Sequence, residues 1–452
     1  MAGLLPLLIA LTIVETSVHP GRALAGDAMP LARLAGLVAW GAVLWLLLCE
    51  TVGRGIALRT RARPTAGIQG RRLLNAWDAL AQAACLGLFA GLCYGFAWSD
   101  RLNSYTLALA PWALLQAIHW WCLTVPVRAV SGVPWTRGAL VWHHLRFSLL
   151  PLVITLPLMD TCFWIGNHTP IGPWLISHLG PSVNVAGVTL IALGVIALMP
   201  WLLVRAWGAR PLEDGPLRAE LAGACADAGV RIGGILRWPV RGGRVYNAMV
   251  LGVLPRLRYV LFTDDLLRDF PPRERVAVLG HELGHARHHH LWIYLMFALA
   301  TGLVSWSARA PLGQLLATVP GSERISEDVR AGLVALALLA VQWRLLFGFL
   351  SRACERQADI AGAELAGGGD LRAGAETMRE ALGSVARLAG IDPRTPSWRH
   401  YSLHERTAWL LQVELDPGAA ARHHRRLRWG VAVLAAVTGA LLAVSFSLAQ
   451  QI

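Results

Sequence analysis

The segment His281-Glu282-Leu283-Gly284-His285 places two imidazoles and a carboxylate at a spacing that suits a helix. Two His four residues apart lie on one helix face, so both rings can reach a single ion at about 2.0–2.1 Å. Glu282 is rotated one residue around the helix, placed to take a proton from a water rather than to bind the ion. The chemistry this implies is hydrolysis of a peptide bond by a zinc-activated water, with Glu282 as general base and one Zn2+ per chain. With 15 His and 28 acidic residues in 452, the pattern arises by chance in roughly 3% of such chains. Chance is therefore a minor competitor.

The third ligand decides the class. A metzincin needs His six residues beyond His285, and Leu291 stands there. His288, His289 and His290 are close, but a continuous helix does not fold them onto the same ion. They read as a polar helix turn at a membrane interface. A gluzincin needs a Glu from a second helix, and Glu355-Arg356-Gln357-Ala358-Asp359 fits. Glu355 and Asp359 share a helical face, so Glu355 is placed to bind zinc while Asp359 holds the remaining ring proton of a ligand His. The seven Cys form no CxxC pair, which leaves no thiolate zinc site or disulfide framework to read.

These residues must be positioned by a chain that is 55% hydrophobic and 15% charged, with mean hydropathy +0.48. That balance points to membrane spans of about 20 apolar residues each. Segments 3–19, 34–50, 78–98, 105–125, 147–166, 185–205, 291–308, 331–350 and 429–448 qualify. The first also resembles a signal peptide, with Ala23-Leu24-Ala25 as a cleavage site, but no basic residue precedes it, and an uncleaved helix is the expectation.

The net charge is +13 and every basic residue is Arg. Nucleic-acid binding is one reading of that charge, but the Arg follow the topology. Loops 51–77 and 126–146 are Arg-rich and loop 167–184 has no charge. The positive-inside rule then puts the first two, and the polar stretches 206–290 and 351–428, in the cytoplasm. Asp160 and Arg344 fall inside expected spans, where ionisable groups are costly and usually paired or functional. Arg344 stands 11 residues before Glu355, about three helical turns away on the same face, where it either lines the route to zinc or snorkels.

In the first polar stretch an amphipathic helix over 212–230 precedes β-like runs at Val230–Ile235, Val245–Leu251 and Tyr259–Phe262. The Arg241-Gly242-Gly243-Arg244 turn joins the first two runs. A short helix at 265–269 follows, and Pro271-Pro272 opens the helix that carries the two His and runs on into the seventh span. In the second stretch the eighth span continues to about Ala366, Gly367-Gly368-Gly369 ends it, and an amphipathic helix with Leu371, Met378, Leu382, Val385 and Leu388 ends at Gly390.

Over roughly 215–415 the chain resembles the membrane-embedded gluzincin peptidases that include HtpX and the CAAX prenyl endopeptidases. The resemblance rests on Asn247-Ala248, Gly252 and Arg258 through Leu267, on Glu274 and Val278 before the two His, and on Ser351-Arg352 through Glu355 and Asp359. Two membrane helices between His285 and Glu355 also suit that group. His400-Tyr401-Ser402-Leu403-His404-Glu405-Arg406 looks like its His-Pro-Ser…Glu-Arg element, with Tyr401 where the family usually has Pro. The resemblance implies that His400 and Arg406 approach the catalytic cleft as candidate catalytic residues for substrate or oxyanion contacts, and that Asn247 and Ala248 lie on a strand that pairs with an extended substrate.

The expected fold is a mainly α polytopic membrane protein of about nine transmembrane helices, with a small β-sheet in a gluzincin zincin-type catalytic domain. Residues 1–205 form an N-terminal bundle, 206–428 a peptidase domain interrupted by membrane helices 291–308 and 331–350, and 429–452 a last membrane helix. The expected function is a membrane-bound zinc endopeptidase acting on membrane-associated or misfolded proteins. Its partners are protein or peptide substrate and lipid, with no nucleic acid, and its place is the bacterial cytoplasmic membrane with the site facing the cytoplasm. A sensor-type membrane gluzincin would carry an extracellular domain after the last span, and this sequence runs only to Ile452. A site-2-type intramembrane protease would need a downstream Asp in a membrane helix, whereas Leu415-Asp416-Pro417 lies in a polar segment. A non-catalytic scaffold with a relict metal site would have no reason to keep Glu282.

Overall fold

The computed structural model describes residues 9–11, 13–14, 29–61, 66–96, 98–99, 102, 104–179, 182–240, 245–321, 327–395 and 399–449. They fall into two compact units, one of residues 1–195 with 324–332 and one of 196–323 with 333–452. The Arg241–Arg244 turn and the Ala23-Leu24-Ala25 site lie outside the described residues.

The first unit is helical. Its elements are α1 (Leu31–Arg61), α2 (Ala66–Phe96), α3 (Tyr105–Ser131), α4 (Arg137–His144), α5 (Leu150–His168) and α6 (Ile171–Leu179), followed by α7 (Ser182–Ala206), which leads out of it. No breaker interrupts 51–61 or 66–77, so most of the loop expected at 51–77 is helix. Asp160 on α5 accepts hydrogen bonds from the Ser104 hydroxyl (2.7 Å) and from the N–H groups of Tyr105 (2.8 Å) and Thr106 (3.0 Å). A carboxylate in an apolar helix is thus accounted for as the cap of the orphan donors that open α3.

The second unit opens with β1 (Arg210–Pro211), α8 (Pro216–Asp227), β2 (Gly234–Trp238), β3 (Ala248–Leu251) and β4 (Tyr259–Thr263). Then come α9 (Asp264–Asp269), α10 (Pro272–Arg287), α11 (His290–Leu316), α12 (Glu327–Gln342), α13 (Gly348–Ala366), α14 (Leu371–Ala389), α15 (Leu403–Leu415) and α16 (Gly418–Ala449). A π-helical segment, Trp343–Phe347, joins α12 to α13. The sheet runs β1-β2-β4-β3, with β2 parallel and β3 antiparallel to β4, so β3 is an edge. β2 begins four residues later than the run expected at Val230–Ile235. Gly252, at φ 102°, lets the chain leave β3 beside Leu257, and buried Arg258 fixes that turn by donating to the carbonyls of Gly252, Val253 and Arg231.

Among the described residues six helices are long and apolar enough to cross a membrane: Ala32–Thr60, Gly70–Cys93, Tyr105–Ser131, His290–Leu316, Val329–Ala366 and Gly418–Ala443. Of the other three expected spans, 3–19 lies largely outside the described residues. Segments 147–166 and 185–205 fall on α5 and α7, whose side chains are described only in part. The π-helical segment also shifts the helix register, so Arg344 does not keep the uniform-helix alignment with Glu355 that its spacing implies.

Helix α10 is held between the sheet and α13. Leu279 and Leu283 are fully buried with Val260, Phe262 and Leu266 on the sheet side. On the other side, small residues meet small residues. A Cβ at Gly280 would stand 2.9 Å from the Gly362 Cα, one at Gly284 2.7 Å from the Ala361 Cβ, and one at Gly362 2.7 Å from the Ala277 carbonyl oxygen. No larger residue fits there without parting the helices. Gly362→Val is therefore expected to cost about 1–3 kcal/mol by overpacking and to lower the unfolding midpoint in detergent. Gly383→Ala on α14, where a Cβ meets nothing within 4 Å, is expected to hold or raise it. Equal midpoints for the two variants would contradict this account of the packing.

Candidate active site

The close crossing brings α10 and α13 side chains into one layer. His281, His285 and Glu355 each present a ligand atom, all within 4.8 Å of one another. The two Nε2 atoms are 3.3 Å apart. Glu355 Oε2 is 3.6 Å from His281 Nε2, and its Oε1 is 3.7 Å from His285 Nε2. These are long for hydrogen bonds. They match the edge of a tetrahedron with bonds of 2.0–2.1 Å, which is about 3.4 Å. The donor set and its spacing therefore fit zinc. Glu355 is only 5% exposed and Asp359 fully buried, a placement costly for carboxylates without cations beside them.

Each imidazole is held from behind. His281 Nδ1 lies 2.9 Å from Asp359 Oδ1. Arg406 on α15 clamps Asp359 with two hydrogen bonds of 3.0 and 2.5 Å and lies 3.4 Å from His281 Nδ1. This fixes the proton on Nδ1 and leaves Nε2 for an ion. Behind His285 the partner is His290, at 2.8 Å between Nδ1 atoms. His290 Nε2 lies 2.9 Å from Gln357 Oε1, and Gln357 Nε2 lies 2.7 Å from His424 Nδ1. One set of tautomers satisfies all these bonds: His285 donates to His290, His290 to Gln357, and Gln357 to His424.

The expectation that α10 runs unbroken into the next span is not met. The helix stops at Arg287 and His289 takes the left-handed conformation, φ 56°, which His tolerates better than bulkier residues. That break turns His290 back onto His285. The expectation that His288, His289 and His290 form a polar interfacial turn fails for His290, which is buried against His285, and Gln357 carries no local signal of its role. Only the near-coincidence of a His cluster with the metal motif hints at the role of His290.

Glu282 sits beside the ligands, and its Oε2 accepts the N–H of Val250 at 3.1 Å. The Asn247 carbonyl accepts from Thr263 N–H at 3.0 Å. By strand alternation, the backbone of Ala248 and Val250 faces away from β4. Exposed Asn247 and buried Ala248 thus lie at the open edge next to Glu282. His400, with its side chain 45% exposed, places Nδ1 2.9 Å from Glu355 Oε1. Arg406 turns to Asp359 and His281. Tyr401 receives the Arg356 guanidinium over its ring at 4.2 Å, and the same cation lies 4.9 Å from the Trp409 ring. The ring thereby joins α15 to α13 where a Pro would offer no such surface.

Burial acts on each titratable group. It opposes protonation of His281, but the Asp359 hydrogen bond and the nearby carboxylates hold its pKa above the ordinary value. Burial and the His281 charge hold His285 well below it, so its lone pair stays available to a metal. Burial pushes the Glu282 carboxyl up to about 7, against the pull of His281, with the Glu355 charge adding to the rise.

The model of peptidase family M48 matches residues 234–404, from the start of β2 into α15. A protease HtpX homologue of Pyrobaculum calidifontis is 30% identical over 272 residues, 59% of this chain and 74% of that protein. The chain belongs to peptidase family M48. It is accordingly a membrane metalloprotease, with HtpX-like relatives. A second HtpX homologue, of Methylibium petroleiphilum, is 29% identical over 157 residues, 34% of this chain and 51% of that protein. The chain thus spans about half the length of that relative. The crystal structure of S. mikatae Ste24p superposes with a TM-score of 0.46 at 15% identity, covering 85% of this chain and 99% of that one, a likeness too loose to carry an argument.

The raised Glu282 pKa has a consequence for the metal-free M48 chain. A folded carboxyl near 7 keeps a proton that the unfolded chain releases near 4.5. The stability it contributes is complete below about pH 4.5 and is lost as the pH rises through about 7. Metal-stripped Glu282→Gln is therefore expected to gain in melting temperature over the metal-stripped parent as the pH rises across that window. Parallel curves in a scan with chelator would contradict the assignment.

Proposed function

We propose that the chain is a zinc endopeptidase that cuts membrane-associated or misfolded proteins at the cytosolic face of the membrane. The observation that carries this reading is the tetrahedral-edge spacing of His281, His285 and Glu355, with Glu282 beside them against an open strand edge. His281, His285 and Glu355 would hold the ion. When bound, zinc supplies Lewis acidity, which polarises a peptide carbonyl and acidifies a water near neutral pH.

The remaining work falls to the chain's own residues. The outward backbone of β3 at Ala248, with Asn247 beside it, pairs with the extended substrate and sets the scissile bond across the site. The Val250 N–H orients the Glu282 carboxylate, which takes a proton from the attacking water and passes it to the leaving amine nitrogen. His400, half-exposed beside Glu355, donates to the oxyanion that grows on the carbonyl. Asp359 holds the Nδ1 proton of His281, and Arg406 is a positioning residue acting through Asp359.

The cytosolic orientation is supported by Arg-rich 51–77 and 126–146 against uncharged 167–184, and by Arg422, Arg425, Arg426 and Arg428 where α16 approaches its apolar stretch. We assign the peptidase to 206–428.

Glu282→Gln is expected to keep one zinc per chain and to lose cleavage of a membrane-protein substrate by about 100-fold or more. Glu355→Ala is expected to lose both zinc and cleavage. Metal analysis of the purified variants and a gel-based cleavage assay read the outcome. Equal cleavage by Glu282→Gln and the parent would overturn the base assignment, and full zinc in Glu355→Ala would overturn the ligand set.

A further inference from the structure

The hydrogen-bond relay behind His285 ends at His424, in a cavity of about 590 Å3 among α10, α11, α13 and α16. Arg287, His288, Gln357, Glu364, His424 and Arg428 are its polar lining, and Ile293, Leu427 and Val431 its apolar wall. Arg287 is 3.4 Å from Glu364. Arg428 makes no ion pair among the described residues, so the cavity keeps an unneutralised guanidinium. The relay's tautomers place a proton on His424 Nε2, for which the described residues offer no acceptor.

The cavity also lies at the level where two apolar helices begin. α11 starts at His290, and α16 becomes apolar after Arg428. Trp292 and Trp429, 44% and 71% exposed, stand where these two apolar stretches begin, as aromatic side chains do at the headgroup level. Arg425 and Arg426 stand exposed outside the cavity on the same helix. A basic mouth, an apolar wall continuous with membrane helices and a free ring N–H together suit one occupant, a phosphate diester carrying acyl chains.

We propose that this cavity binds the headgroup phosphate of an anionic phospholipid through Arg428, Arg287 and His424 Nε2, and that occupancy steadies the His424–Gln357–His290 relay that holds His285. The second half rests on the zinc-site reading above; lipid binding itself does not. Anionic lipid then tightens the zinc site, and zinc binding tightens lipid, by the same factor.

The test uses the full chain in nanodiscs of phosphatidylcholine, with or without phosphatidylglycerol. Native mass spectrometry reads retained phosphatidylglycerol, and zinc loss to a chelator reads the coupling. The parent is expected to retain the anionic lipid and to release zinc several-fold more slowly when it is present. The double variant Arg287→Gln/Arg428→Gln should lose both effects, and Arg425→Gln/Arg426→Gln, outside the cavity, should keep both. Gln357→Leu should retain the lipid but lose its effect on zinc. Inorganic phosphate added to phosphatidylcholine discs at matched ionic strength should not reproduce the slowing.

Equal lipid retention by the parent and Arg287→Gln/Arg428→Gln would overturn the site, as would equal loss in both double variants, which is general surface attraction. Slowing by phosphate alone would overturn the lipid assignment. A failed peptidase reading would appear as absent zinc, leaving the lipid masses to decide the binding half.

Discussion

The contact on which the site depends is the crossing of α10 and α13 through Ala277, Gly280 and Gly284 on one side and Ala358, Ala361 and Gly362 on the other. Gly284 lies inside the metal motif itself, between Glu282 and His285. The motif therefore does two jobs. Its polar residues face the proposed ion site, and its glycine allows a second backbone close enough for the Glu355 carboxylate to reach the same place. Larger residues at these positions would part the helices and draw Glu355 away from the two Nε2 atoms.

From that contact the electrostatics follow. Closing the helices buries Glu355 and Asp359, and buried carboxylates need partners. Asp359 finds Arg406 and His281; Glu355 faces two imidazoles with a third, His400, beside it. These partners are drawn from three different elements, so α15 and the segment before it must dock on α13 for the two carboxylates to be satisfied. The capping box of Ser402 and Glu405 fixes where α15 begins, and so where Arg406 stands. The edge strand is tied in by the Val250 N–H on Glu282.

The parts legible in the sequence are those that obey a short period. His281, Glu282 and His285 share one helical turn, and Glu355 and Asp359 another, so spacing alone groups them. The long run from the eighth span to Ala366 was legible because nothing breaks it, and Gly367 then ends it. The strand Tyr259–Thr263 was visible as a buried apolar run. β2 was displaced because Val230–Ile235 has β-like residues while pairing with β4 sets the register at Gly234–Trp238. The break at His289 was hidden, since no Gly or Pro marks it and the apolar pattern resumes at once. The relay through Gln357 to His424 joins residues 67 apart, and no local pattern encodes it. Asp160, conspicuous as a charge in an apolar run, proved to be a helix cap, because the donors it serves lie in another helix.

The most direct test of the claim that this crossing builds a single zinc site is zinc-edge X-ray absorption on the purified full chain. The expected spectrum has only nitrogen and oxygen neighbours at about 2.0–2.1 Å, with the outer-shell signature of two imidazoles. It should lose one imidazole in His285→Ala. Sulfur at about 2.3 Å, an all-oxygen shell or a spectrum unchanged in His285→Ala would contradict it.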